Sequence, residues 1–112
     1  RQALDLFLYS YIFCEHPART RITDLESITI DVRTQEEVDE GSIPDALHMD
    51  IYNAQEFILG LEKLDKSLSY YVYCRSGNRS GQACSIMSQM GFKSTFNLSG
   101  GFLEWTGPSV TP

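Results

Sequence analysis

The segment that most restricts the fold is an apolar, aromatic run, Leu68-Ser69-Tyr70-Tyr71-Val72-Tyr73, that passes directly into Cys74-Arg75-Ser76-Gly77-Asn78-Arg79-Ser80. A pattern of helical spacing follows. The run is short and almost continuously apolar, which suits a strand buried on both faces of a parallel sheet. A strand that ends in a tight loop and enters a helix is the joint of an α/β fold. The loop carries Gly77-Asn78, residue types that tolerate positive φ, and its backbone N–H groups can converge on one point. The first turn of the following helix adds unpaired N–H groups and the positive end of its dipole. A thiol at that point loses its proton more readily and becomes a nucleophile near neutral pH.

Cys74 is therefore read as the reactive cysteine. Cys14 and Cys84 are read as small buried apolar residues, the commoner fate of a free cysteine, with one Cys14–Cys84 bridge left open. Two arginines within five positions make a poor core site, which sets Cys74 apart. The three cysteines are widely spaced and form no Cys-x-x-Cys pair or Cys/His cluster, so neither a structural metal nor a cofactor is expected. His16 and His48 have no sequence partner that suggests a triad.

The chain has 112 residues, enough for one domain. Its formal charge of −6 argues against nucleic acid as a partner. It also means that attraction of an anion must be local, at Arg75 and Arg79. No stretch reaches the length of a membrane-spanning helix. Leu4 to Cys14 is apolar, but Asp5 interrupts it and a small-residue cleavage pattern is missing, so the expected compartment is the cytoplasm or the periplasm.

Along the chain, Ala3, Leu4, Phe7, Leu8 and Tyr11 have helical spacing, which predicts an N-terminal amphipathic helix ended by Pro17. Residues 28–32 read as a strand. Residues 34–40 read as a short acidic helix, opened by the capping-box spacing Thr34-x-x-Glu37. A strand is expected at 46–50, a helix at 52–64, a strand at 68–73 and a helix at 80–90. In that last helix Ala83, Ile86, Met87 and Met90 make a core stripe and Gly91 stops it. A strand at 94–98 and a helical turn at 102–105 complete the pattern. Ligands of such sheets sit beyond the carboxyl ends of the strands, and Cys74 lies at such an end. Asp31 and Arg33 share a face of their strand and are expected to tie its end to a loop rather than react. Phe102 and Trp105 read as core cover or pocket wall.

Several segments resemble the rhodanese family. They are Ile30-Asp31-Val32-Arg33, the link Glu36 to Ala46, the loop Cys74 to Ser80 with its helix to Gly91, and Asn97-Leu98-Ser99-Gly100-Gly101-Phe102-Leu103-Glu104-Trp105. They occur in the family's order over about residues 28–106. The family often has His where Ser42 stands and usually Gly where Asp45 stands. The resemblance implies an α/β rhodanese-like domain, a small parallel sheet flanked by helices. An N-terminal helical segment and connector (1–27), the domain core (28–106) and a tail (107–112) divide the chain on this reading.

It also implies an activity. A sulfurtransferase would move a sulfane sulfur from a small anionic donor such as thiosulfate, through a Cys74 persulfide, to a thiol or cyanide. The expected donor-binding residues are Arg79 first, then Arg75, with Ser76, Gly77, Asn78 and Ser80 as the cradle. The two arginines could instead be solvated or paired with nearby carboxylates. A cysteine phosphatase or arsenate reductase on the same fold is the first alternative. It would need five residues between cysteine and arginine, and only four separate Cys74 from Arg79. A binding module without catalysis is the second alternative, which the presence of Cys74 disfavours.

Overall fold

The computed structural model describes residues 11–13, 19–20 and 28–112. The elements, in order, are β1 (Tyr11–Phe13), β2 (Arg19–Thr20), β3 (Ile28–Asp31), α1 (Gln35–Asp39), β4 (Leu47–His48), α2 (Ala54–Glu62), β5 (Ser69–Tyr73), α3 (Asn78–Gln89) and β6 (Ser94–Leu98). A 3-10 turn at Phe102–Glu104 follows. The six strands form one sheet in the order β2-β1-β6-β5-β3-β4. Strands β4, β3, β5 and β6 are parallel, as an alternation of strands and helices requires. Strand β1 runs antiparallel to both β6 and β2.

The expected N-terminal helix is corrected where it can be compared. Tyr11–Phe13 is a strand that pairs with Phe96–Leu98. Its other residues, Ala3 to Leu8 and the stop at Pro17, lie outside the described residues. Helical spacing over nine residues is a weak guide here, because an apolar segment beside an open sheet edge gains ladder hydrogen bonds.

Burial explains the apolar run before Cys74. In β5, Tyr70 and Val72 face one core, where Phe57 and Leu61 of α2 meet Ala83 and Met87 of α3. Tyr71 and Tyr73 face the other, with Ile43, Phe96 and Leu98, and Phe102 and Trp105 pack onto it. A strand with both faces covered has no polar face to alternate with.

Local signals are obeyed closely. Thr34 caps α1, accepting from the Glu37 N–H while the Glu37 carboxylate accepts from the Thr34 N–H. Gly91 follows α3 at φ 100°, a conformation suited to glycine. Asp45 is the one described non-glycine residue with positive φ, 65°. That explains the family's glycine there and why aspartate, which tolerates this region, can replace it.

Candidate active site

Cys74 follows the last residue of β5 and is fully buried. Helix α3 starts at Asn78, two residues earlier than its sequence pattern suggests, so Asn78 and Arg79 lie in its first turn rather than in the loop. Gly77, at φ 112°, makes the turn between the two. Its N–H donates to Cys74 Sγ at 3.0 Å. The Ser80 hydroxyl lies 3.4 Å from the same sulfur. Burial pushes the thiol up. Hydrogen bonds from the Ser80 hydroxyl and from the N–H groups of Ser80, Gly77 and Ser76 outweigh that, and the net direction is below the ordinary thiol value. The Arg79 charge also acts on the sulfur.

The loop is held from behind by the turn after β6. The Phe102 N–H donates to the Cys74 carbonyl at 2.8 Å, and the Leu103 N–H donates to the Arg75 carbonyl at 3.0 Å. Gly101 permits this approach: at φ 62°, any Cβ there would fall on the backbone of Arg75 and Cys74. Gly101 thus seats the loop.

The two arginines have different fates. Arg79 makes a bidentate pair with Glu37, Nη1 to Oε1 at 2.7 Å and Nη2 to Oε2 at 3.0 Å. Its guanidinium also lies over the Tyr52 ring, 5.5 Å from the centroid. Glu37, bound by Arg79 and by both Thr34 donors, is held down to about 2. The reading of Arg79 as the leading donor-binding residue therefore has to reckon with a carboxylate already in its fork. Arg75 is exposed and its side chain has no ion pair or hydrogen bond among the described residues. Ser76 and Asn78 are also exposed, and Ser80 is buried. A cleft of about 310 Å³, lined by Arg33, Glu37, Glu40, Arg75, Phe102 and Leu103, opens beside the loop.

Asp31 and Arg33 do what their shared face suggests. Arg33 Nη2 contacts Asp31 Oδ2 at 2.7 Å, with both side chains buried, and also donates to the Gly41 carbonyl at 2.7 Å. The Tyr73 hydroxyl completes the group, donating to Asp31 Oδ2 at 2.6 Å. Burial first, and then the Asp31 charge, push the Tyr73 phenol well above its ordinary value. The Arg33 guanidinium stacks over the Phe102 ring at 4.5 Å, so Phe102 is a wall of the cleft. His48 binds the Arg33 carbonyl through Nε2 at 2.6 Å and does not reach Cys74. Cys84 is buried on α3 and is disulfide-bonded rather than free, its partner lying outside the described residues. No group of three His, Cys, Asp or Glu side chains that could hold a metal occurs among the described residues.

Sequence reasoning assigned no role to Asn97. Its amide donates from Nδ2 to the Gly77 carbonyl at 3.0 Å, and its Oδ1 accepts from the Ser80 hydroxyl at 2.5 Å. The available signal was a polar amide in an otherwise apolar interior strand, Phe96-Asn97-Leu98.

A strand-end cysteine in a four-residue loop, backed by a Gly-Gly turn, is the arrangement that comparison with known proteins tests. The family model of the rhodanese-like domain matches residues 16–108. The chain belongs to the rhodanese-like family. The YtwF protein of Bacillus subtilis is 44% identical over 84 residues, covering 75% of this chain and 78% of that protein. The thiosulfate sulfurtransferase GlpE of Coxiella burnetii is 36% identical over 78 residues, 70% of each chain. Among solved structures, a rhodanese with anions from E. coli superposes with a TM-score of 0.65 at 30% identity, covering 77% of this chain and 99% of that one. The rhodanese-like fold of this chain and its place among sulfurtransferases rest on these matches and on the sheet described above. Such an enzyme has a sulfur donor and a sulfur acceptor as substrates.

Proposed function

We propose that this rhodanese-like domain transfers a sulfane sulfur from thiosulfate, or a similar small anion, through a persulfide on Cys74. The Cys74 thiolate attacks the outer sulfur of thiosulfate. The new S–S bond forms as the bond to the sulfonate sulfur breaks, and sulfite leaves with that electron pair. Cyanide or a thiolate then attacks the outer sulfur of the persulfide; the S–S bond breaks with its electron pair returning to Cys74 as the thiolate, and the acceptor departs carrying the sulfur, as thiocyanate or a new persulfide. Charge and atoms balance in both halves, and no cofactor is required.

The observation that carries this reading is the buried Sγ under the Gly77 N–H at 3.0 Å. An anion hole at that spot favours a thiolate and, after transfer, an anionic persulfide. Arg75 is the cation that meets the incoming anion first. Arg79 stands behind it and is shared with Glu37. A phosphatase would need a longer loop and a free arginine fork for a tetrahedral oxyanion, and this site supports neither.

The test is intact mass after exposure to thiosulfate and removal of excess donor. The expected result is a gain of one sulfur atom on the peptide containing Cys74, discharged by cyanide as thiocyanate, and no gain in Cys74→Ser. Turnover by the Cys74→Ser protein, or thiocyanate formation by sequential kinetics without an adduct, would refute the proposal. Hydrolysis of aryl phosphates by the unaltered chain would favour the phosphatase reading instead.

A further inference from the structure

The Ser80 hydroxyl has two neighbours and one proton. Cys74 Sγ lies 3.4 Å away, and Asn97 Oδ1 lies 2.5 Å away. The second contact fixes where the proton is. The Gly77 carbonyl can only accept, so the amide group of Asn97 must turn its NH₂ toward it, at 3.0 Å. That leaves Oδ1 facing Ser80. Oδ1 also can only accept, so the Ser80 proton is committed to Asn97. The hydroxyl then presents a lone pair to the sulfur. A thiol can donate to that lone pair, but a thiolate is repelled by it.

We propose that Asn97 is a positioning residue for Cys74: it draws the Ser80 proton away from Sγ while the sulfur is a thiol and so sets how readily that sulfur ionises. When Cys74 ionises, the hydroxyl turns its proton to the sulfur and gives up the 2.5 Å bond to Asn97. The cost of that turn is set by Asn97. The proposal goes beyond the sulfur-transfer reading, since it concerns the protonation of the thiol whatever it later attacks.

A merely structural role for Asn97 has the opposite consequence. If its main service were to clamp the loop, removing it would loosen the Gly77 N–H and make the thiol less acidic. The loop has other holds. The Gly81 N–H donates to the same Gly77 carbonyl at 3.0 Å, and the Phe102 and Leu103 N–H groups grip the carbonyls of Cys74 and Arg75. The charged groups about the loop are Arg75 itself, Arg79 on α3 with Glu37 of α1, the Arg33–Asp31 pair at the end of β3, Glu40 on the cleft wall and Glu104 beside Gly100. None changes in the variants below, and Glu37, held at about 2, stays ionised across the range used.

The experiment is the pH dependence of Cys74 alkylation by iodoacetamide, an uncharged reagent, located by peptide mass. Asn97→Ala is expected to shift the profile to lower pH by about half a unit to one unit, giving roughly three- to tenfold faster alkylation on its acid limb. Ser80→Ala, which removes the hydroxyl donor, is expected to shift it to higher pH. In the Ser80→Ala background, Asn97→Ala should add nothing, because the proton it governs is gone. An upward shift or no shift in folded Asn97→Ala overturns the proposal. So does an equal downward shift in the Ser80→Ala background, which would mean water entering the space left by the amide. Circular dichroism of each variant separates these outcomes from misfolding. The sulfur-adduct test stands apart, so the two readings can fail independently.

Discussion

Replacing Glu37 with glutamine tests how the site handles charge. The change removes one negative charge at the mouth of the site and keeps the shape. Glutamine also preserves the capping box with Thr34, since its side-chain carbonyl can still accept from the Thr34 N–H. What is lost is the bidentate pair with Arg79. Glu37 is lowered from its ordinary 4.5 to about 2, chiefly by the Arg79 hydrogen bonds. At about 1.4 kcal/mol per tenfold change in equilibrium, that bounds the interaction at about 3 kcal/mol. The side chains are 24% and 17% exposed, so solvent screening reduces the expected cost of Glu37→Gln to about 1–2 kcal/mol. The sign of its pH dependence follows. A carboxylate lowered by folding stabilises above its unfolded value, and the stability is lost as pH falls from about 4.5 toward 2. Urea unfolding should therefore show a wild-type advantage that is constant near neutral pH and fades across that window. The kinetic effect runs the other way. Arg79, released from its carboxylate, becomes available to an anionic donor, and KM for thiosulfate should fall about two- to tenfold at low salt. A KM that rises, or stays put while stability drops as expected, would refute the claim that Glu37 competes with the donor for Arg79.

Arg75→Ala should raise KM for thiosulfate several-fold with kcat nearly unchanged, since it removes an exposed cation and touches no contact of the sulfur; steady-state kinetics at low salt would show it. Arg79→Ala should raise KM and also lower the urea midpoint, because it leaves Glu37 facing the cleft without its partner. Gly101→Ala should cost about 3 kcal/mol or more and slow Cys74 alkylation, as its methyl would occupy the space of the Arg75 and Cys74 backbone; wild-type values in both measurements would contradict the close-approach argument.

How much of this was legible in the sequence depends on whether the signal was local. The capping box at Thr34, the strand expected at 68–73 and found at Ser69–Tyr73, the core stripe of α3 and the stop at Gly91 each need only neighbouring residues, and each is found in the structure. Asp31 and Arg33 are two positions apart in sequence, and their shared face is readable from strand periodicity. The antiparallel β1 was not readable, because strand formation there depends on the edge of β6, more than eighty residues later in the chain. Neither was the partner of Arg79, forty-two residues away on α1. Sequence spacing identified the arginine as close to the cysteine. It could not tell that a carboxylate from another helix reaches it first. Asn97 was missed for the same reason: its two partners, at 77 and 80, come together with it only when β6 lies parallel to β5.

These long-range contacts divide the site into two systems. Thiol activation is the work of short dipoles: N–H groups from the loop and α3, with one hydroxyl whose proton direction is set by an amide. On the proposed function, donor attraction falls to full charges, Arg75 in the open and Arg79 balanced by Glu37. Dipoles a few ångströms from a buried sulfur are screened little by salt, whereas exposed charges are screened within about 10 Å at ordinary ionic strength. The separation allows an acidic chain, at −6, to keep a reactive sulfur without a strongly positive surface. It also explains why Glu37 can sit so near the reaction. Because N–H groups and a hydroxyl supply the larger share of the thiolate's stabilisation and Arg79 acts on it only through charge, that arginine can be shared with a carboxylate, and the sharing tunes which anions enter without disarming the sulfur.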